Sequence, residues 1–205
     1  MLNSKFKFPK FKYFLNNNQG SAAIEFIFIA PIMIATYFGL AEVSLLISAD
    51  RDVSHATSVA ADLSTQIETL GPNDIEDIFN ATLAVMSVTD RQAGRLTIDV
   101  ISYEKDTSGT LSEIGYAKLG SGLSTKYVPP GTISNALLNA TSGLVITRIE
   151  YKYETPTGLG YYVKSPTLSE TFMLKPRKSA TIPFSTASIS CNLVTGGANG
   201  PRANC

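Results

Sequence analysis

Residues 20–49 read GSAAIEFIFIAPIMIATYFGLAEVSLLISA, thirty residues in which Glu25 and Glu42 are the only charged side chains. A helix needs roughly 20 predominantly apolar residues to cross a hydrocarbon core, so this stretch is long enough to span a bilayer once. Its inner part, residues 26–41, carries no charge at all. On the N-terminal side Lys5, Lys7, Lys10 and Lys12 alternate with Phe6, Phe8, Phe11, Tyr13 and Phe14, and no acid precedes Glu25. Basic residues are retained on the cytoplasmic side, so the N-terminus is expected to stay inside and everything after Asp50 to be exported.

The rest of the composition follows from that segment. Of 205 residues 17% are charged, against roughly 25% in an ordinary soluble domain, and the deficit sits in the apolar run. The formal net charge of zero is a sum of unlike parts. Residues 1–20 hold four lysines and no acid, which leaves 13 basic against 17 acidic groups, or −4, in residues 21–205. No basic stripe follows the first dozen residues, which excludes a nucleic-acid footprint. One His and two Cys exclude a multi-ligand His/Cys metal centre. There is no G-x-S-x-G elbow, no Walker-type G-x-x-x-x-G-K and no C-x-x-C. The sequence therefore predicts no enzyme, no catalytic residue, no cofactor and no metal.

Three arrangements fit the apolar run: a removable secretory signal, an uncleaved signal anchor, and a short leader cut before the run. A secretory signal is cut after its apolar region at small residues, whereas this one ends Leu46-Ile47-Ser48-Ala49-Asp50, with bulky residues where small ones are needed. In the third arrangement the polar stretch Asn16-Asn17-Asn18-Gln19-Gly20 lies at the cytoplasmic membrane surface. Gly20 has no side chain and opens the backbone to a peptidase. Small residues Ser21, Ala22 and Ala23 follow, and Glu25 would be the fifth residue of the processed chain.

A glycine, small residues after it and a glutamate at the fifth position resemble the processing site of type IV pilins and pseudopilins. Residues 18–63 resemble more closely the N-terminal segment of TadE-like proteins, minor pseudopilins of the tight-adherence (Tad) pilus, through the combination of Gly20, Glu25, Pro31 and Glu42. A fainter likeness to the late strands of the family covers residues 145–156 and 174–177. The likeness does not separate TadE-like from TadF-like or short TadG-like members. It implies cleavage between Gly20 and Ser21 by a prepilin peptidase and assembly with a major pilin, other minor pilins and an inner-membrane assembly platform. It also implies residence in the bacterial inner membrane before entry into a cell-surface adhesive pilus. The competing expectation is an uncleaved single-pass protein that presents a periplasmic binding or scaffolding domain.

The residues suit those roles. A carboxylate in a membrane is costly, about 2.5–3.5 kcal/mol at the centre and less at the edge, so Glu25 needs a counter-charge. The new ammonium of Ser21, on its own or a neighbouring subunit, supplies one, and the resemblance implies the intersubunit pairing. Glu42 follows seventeen residues later, ~25 Å along a helix and about a quarter turn round it, which suits the outer membrane interface and not a carboxylate pair. Pro31 removes a backbone donor and kinks or opens the helix there. Gly39 permits close helix approach.

Past the membrane, Val53, Ala56, Ala60, Leu63, Ile67 and Leu70 recur at spacings of three and four, predicting a helix that runs from Ser21 to a stop at Gly71-Pro72. His55 beside that stripe reads as a solvated histidine. Asn73 or Asp74 is expected to cap a second helix to Thr89, with Ile75, Ile78, Phe79, Leu83 and Met86 on one face. Then the period becomes two. Leu96, Ile98 and Val100 predict a strand, residues 105–109 a turn and residues 111–118 its hairpin partner. Pro129-Pro130 reads as loop and residues 133–138 as a helical turn. Val145, Thr147, Ile149, Tyr151 and Tyr153 alternate with Arg148, Glu150, Lys152 and Glu154, predicting a strand with one core face and one solvent face. A loop around Gly158 and Gly160 precedes a last strand near residues 170–174, with an extension towards Phe184, and Tyr161 and Tyr162 read as sheet packing. Cys191 and Cys205 can close a terminal loop in an oxidising compartment.

The expected architecture is α+β. Residues 1–20 form a basic leader, residues 21–49 the transmembrane or pilus-core helix, residues 50–71 its amphipathic extension and residues 72–205 an exported head with a small antiparallel sheet and a C-terminal disulfide loop.

Overall fold

The computed structural model describes residues 21–86, 95–120, 126–127, 138–155, 166–194 and 201–205. The expected leader, the Pro129-Pro130 loop, residues 133–137, the Gly158 and Gly160 loop, and Tyr161 and Tyr162 lie outside them. The fold is α+β. Its elements are α1 (Ser21–Thr65), α2 (Pro72–Val85) and strands β1 (Leu96–Lys105), β2 (Leu111–Leu119), β3 (Gly143–Lys152), β4 (Thr167–Leu174), β5 (Ser188–Val194) and β6 (Arg202–Asn204). The chain forms two compact units, Met1–Ser44 and Leu45–Cys205, and α1 supplies residues to both. The described part of the first unit is helix alone.

In the second unit the strands form one sheet in the order β4-β3-β1-β2-β5-β6. The expected hairpin is present, with Lys105 opposite Leu111 and a register shift at Ser102/Tyr103. β3 pairs antiparallel with β1, and β4 antiparallel with β3. One pair departs from the antiparallel expectation: β5 runs parallel to β2, with Leu119 opposite Cys191. The cause is the connection. After β4, at one end of the sheet, the strap of residues 175–187 carries the chain to the opposite end, and the chain re-enters there beside β2 instead of turning back in a hairpin.

The strap fits because two glycines clear its path. A Cβ on Gly115 of β2 would lie 2.0 Å from Phe184 Cδ2 and 2.3 Å from its Cγ, and one on Gly143 of β3 would lie 2.8 Å from Thr181 Cα. The strap also sets where α1 stops. The sequence predicts helix to Leu70, yet α1 ends at Thr65, because the Arg177 amide donates to the Thr65 carbonyl (3.1 Å) and the Leu70 amide to the Pro183 carbonyl (3.0 Å). Leu70 thereby leaves the helix and forms a parallel bridge to Phe184. The apolar stripe thus continues past the helix through bends at residues 66, 68 and 69 to the bridge at Leu70. The second helix starts two or three residues earlier than expected, with Gly71 and not Asn73 or Asp74 as cap, and Asp74 Oδ2 accepts the Gly71 amide from within the first turn (2.9 Å).

One face of the sheet holds the main core. Ile98, Val100, Ala117, Leu119, Val145, Ile149 and Tyr151 pack there with Ile75, Ile78, Phe79 and Leu83 of α2 and with Ala49, Val53, Ala56 and Ala60 of α1. The buried hydroxyls on α1 return to their own helix, Thr57 to the Val53 carbonyl and Ser64 to that of Ala60. The opposite face is not solvent, contrary to the reading of β3. Ile101, Tyr103, Leu138, Leu144 and Ile146 form a second cluster there. Both faces of the middle strands are covered, so alternation of residue type does not translate into alternation of exposure.

Candidate functional site: an apolar helix with a carboxylate near each end

Within the first unit the helix shows apolar side chains on every side. Phe26, Phe28 and Tyr37 are exposed by 70%, 71% and 71%, and Ile24, Ile27, Ile29, Ile32, Met33, Ile34, Leu40 and Val43 all by more than half. A helix that is apolar all round belongs inside a large core or a membrane, and nothing among the described residues of its own unit covers this one. It is the one helix among the described residues long and apolar enough to cross a membrane. Residues 21–44 rise ~36 Å, somewhat more than a hydrocarbon core.

The polar groups of this stretch are few and placed along it. Glu25 is exposed near the start and Glu42, ~25 Å further on, is partly exposed. The two do not meet. Pro31 sits within the helix, which continues through it without a break. The missing Pro31 amide deprives the Ile27 carbonyl of its intrahelical donor. One turn later the Thr36 hydroxyl folds back onto the Ile32 carbonyl (2.8 Å) and so presents no free donor of its own to the surroundings. Tyr37 and Phe38 touch edge to face with ring centroids 5.8 Å apart. A Cβ on Gly39 would meet nothing within 4 Å. Ser21 is the first described residue of the helix, and Gly20 lies outside the described residues.

Residues 20–62, 43 of the 205, match the family model described as TadE-like protein. Residues 20–62 are similar to TadE-like proteins. No curated protein and no solved structure matches the chain. The TadE-like segment takes in Gly20, Ser21, Glu25, Pro31 and Glu42 together with the first part of α1 in the second unit, and ends three residues before the helix does. The family indicates a Tad pilus-associated minor pilin, and the apolar helix indicates anchoring in a membrane.

The second unit carries chemistry that sequence reasoning did not single out. Asp99, buried in the middle of β1, accepts a hydrogen bond from the Tyr116 hydroxyl (3.4 Å) and lies opposite Arg148 of β3. Arg148 is ion-paired with Glu150, and Lys126 with Glu113. Burial, and then the Asp99 carboxylate, push the Tyr116 hydroxyl well above the usual tyrosine range, and burial raises Tyr103 and Tyr151 as well. The Tyr116–Asp99 bond joins β2 to β1, whereas the Arg148–Glu150 pair lies along β3 and the Lys126–Glu113 pair holds a loop residue to β2. Among the described residues no three His, Cys, Asp or Glu side chains gather as metal ligands. Asp106 at the hairpin tip is held below its usual range by the Ser108 hydroxyl and the Thr110 amide. His55 is exposed on α1.

Cys191 of β5 is bonded to Cys205. The bond ties the C-terminal hook, residues 201–205, to the sheet. The Ala203 amide donates to Asn80 Oδ1 (2.8 Å) and the Cys205 amide to Glu76 Oε2 (3.1 Å), so α2 holds the hook from the other side. The sequence reading made residues 170–174 the last strand and missed β5, although Ile189, Cys191 and Leu193 alternate with Ser188, Ser190 and Asn192. β6, three residues long, offers no period to find.

Proposed function

We propose that the chain is a minor pilin or pseudopilin, a structural subunit and not an enzyme, cut after Gly20 by a prepilin peptidase and then taking part in assembling or priming a Tad-type adhesive pilus. What supports this reading above all is an apolar helical surface, uncovered by the described residues of its own unit, that follows Gly20 directly and carries Glu25 at its fifth position. Such a surface is stable in lipid or against helices of the same kind, and a subunit that moves from bilayer to fibre exchanges one for the other. In the fibre Glu25 pairs with the Ser21 ammonium of a neighbouring subunit and fixes axial register. The partners in this reading are the peptidase, the major pilin, other minor pilins, the inner-membrane platform and the bilayer. The leader stays cytoplasmic and the second unit is periplasmic before assembly.

The test is the N-terminal residue of the protein recovered from membranes of piliated cells. Ser21 is expected, and full-length precursor is expected to accumulate for Gly20→Leu. Recovery of Met1 from the unaltered protein refutes the prepilin reading and leaves an uncleaved single-pass anchor.

A further inference from the structure

Two Asn-x-Thr triplets occur in the second unit, Asn80-Ala81-Thr82 and Asn139-Ala140-Thr141, the pattern at which exported chains receive a glycan on the asparagine. The fold treats them in opposite ways. Asn80 lies in α2, where its Oδ1 accepts the Ala203 amide (2.8 Å). Thr82, two residues on and so on another side of the helix, is fully buried and donates its hydroxyl to the Ile78 carbonyl (2.7 Å). Asn139, Ala140 and Thr141 are all exposed, in the turn that leads into β3. One residue clamps that turn to the end of β1. The Lys105 carbonyl accepts the Thr141 amide (2.8 Å), the Lys105 amide donates to the Ser142 carbonyl (3.1 Å), and its buried Nζ donates to the Leu138 carbonyl (3.1 Å). The Asn139 carbonyl accepts the Ser142 hydroxyl (2.5 Å), and among the described residues no hydrogen bond engages the Asn139 carboxamide. Thr141 is also the one non-glycine with a positive φ among the described residues, at 61°. A β-branched side chain is ill suited to that conformation, and strain held at an exposed residue points to a use for its side chain.

We propose that Asn139 is a glycan acceptor, joined through its side-chain nitrogen to a saccharide that a membrane-bound transferase takes from a polyprenyl-diphosphate donor. Asn139 Nδ2 attacks the anomeric carbon of the donor's first sugar and forms a C–N bond. The bond from that carbon to the diphosphate oxygen breaks, and polyprenyl diphosphate leaves with the electron pair. The amide proton passes to a carboxylate of the transferase, and nothing is oxidised or reduced. Thr141 supplies the hydroxyl that the triplet requires at its third position, which explains a threonine where glycine would sit without strain. Asn80 is not an acceptor, because its carboxamide and the Thr82 hydroxyl are both engaged and Thr82 is buried. The proposal rests on export of the second unit, which the cleaved and the uncleaved readings share. A hydrophilic chain at Asn139 keeps the turn before β3, and the end of the β1–β2 hairpin bonded to it, in solvent, so subunit contacts in a fibre use other surfaces.

The test is mass spectrometry of the protein recovered from its own cells, intact and after digestion. A discrete increment of whole sugar residues is expected on the peptide that contains Asn139, and none on the peptide that contains Asn80. Asn139→Gln and Thr141→Val should lose the increment, and Thr141→Ser should keep it. Thr141→Gly separates modification from folding: it should lose the increment and yet raise the urea midpoint, because glycine adopts the positive φ freely. An oxidised Cys191–Cys205 pair, and protease access to the second unit in spheroplasts, report export in the same samples. Exported, oxidised protein of unmodified mass overturns the proposal and leaves the pilin reading standing. Unmodified protein with reduced thiols, shielded from protease, overturns both. An increment that survives Asn139→Gln, or that lies on Asn80, overturns the assignment to Asn139.

Discussion

Adding one methyl group at Gly115 should loosen the whole second unit, and the size of the effect can be worked from the geometry. The new Cβ would stand 2.0, 2.3 and 2.6 Å from Phe184 Cδ2, Cγ and Cβ, far inside van der Waals contact, and the third of those atoms cannot swing aside without moving the strap. Overpacking of this kind costs about 1–3 kcal/mol. For a domain of this size that lowers the melting temperature by about 2–12 °C. Phe184→Ala, which empties a buried site, should cost about 3–5 kcal/mol. The decisive variant carries both changes. With the ring gone, the methyl added at position 115 occupies vacated space, so Gly115→Ala should cost nothing further and the pair should show about 1–3 kcal/mol of coupling. The assay is urea unfolding of full-length protein in detergent followed by near-UV circular dichroism of tyrosines, since the chain has no tryptophan. Purely additive costs, or a Gly115→Ala variant within about 0.5 kcal/mol of the parent, refute the claim that Gly115 is kept empty for Phe184.

Glu25→Ala is expected to be cleaved at the normal rate but to enter pili poorly; quantitative recovery of the variant in purified fibres would remove the charge pairing from the proposal. Replacing Cys191 and Cys205 together by Ser should destabilise the second unit by roughly 3 kcal/mol, from the 14-residue separation of the bonded pair, with amide hydrogen exchange at positions 203 and 205 rising first. Ultraviolet titration of the native protein should show Tyr103, Tyr116 and Tyr151 ionising above the ordinary tyrosine range near pH 10. Because their folded pKa values are raised, the stability linked to them is complete below pH ~10 and is lost as pH rises through the folded values, so denaturant midpoints should fall on the alkaline side and not between pH 6 and 9. Midpoints that stay level while these tyrosines ionise would contradict the linkage.

The parts of the fold that one short periodicity encodes were legible in the sequence. The apolar run stands out because Thr36 is the only polar residue within residues 26–36, and the β1–β2 hairpin because Asp106-Thr107-Ser108-Gly109 separates two runs of period two. What escaped depends on distant partners. The end of α1 at Thr65 is decided by Arg177 and Pro183, more than a hundred residues away, and the buried second face of β3 by a cluster that includes Ile101 and Tyr103 of β1. The parallel entry of β5 leaves no local trace, because Ile189 and Cys191 alternate the same way whichever direction the strand runs. Glu25, Pro31 and Glu42 were identifiable because a charge or a proline in an apolar helix is conspicuous on its own. The Asp99, Tyr116 and Arg148 group was not, since three ordinary strand residues become a cluster only through register.

The strap also sets a timetable. β2 ends at Leu119 and its partner β5 does not begin until Ser188, so as the chain emerges from its N-terminus one flank of β2 stands bare while β3, β4 and the strap are made. Pairings between segments so far apart form late and slowly. The hook is local by comparison: Cys191 and Cys205 are 14 residues apart in sequence, so their bond draws only on the last part of the chain. The interval before β5 reaches β2 is when the second unit is most open to misassembly and proteolysis.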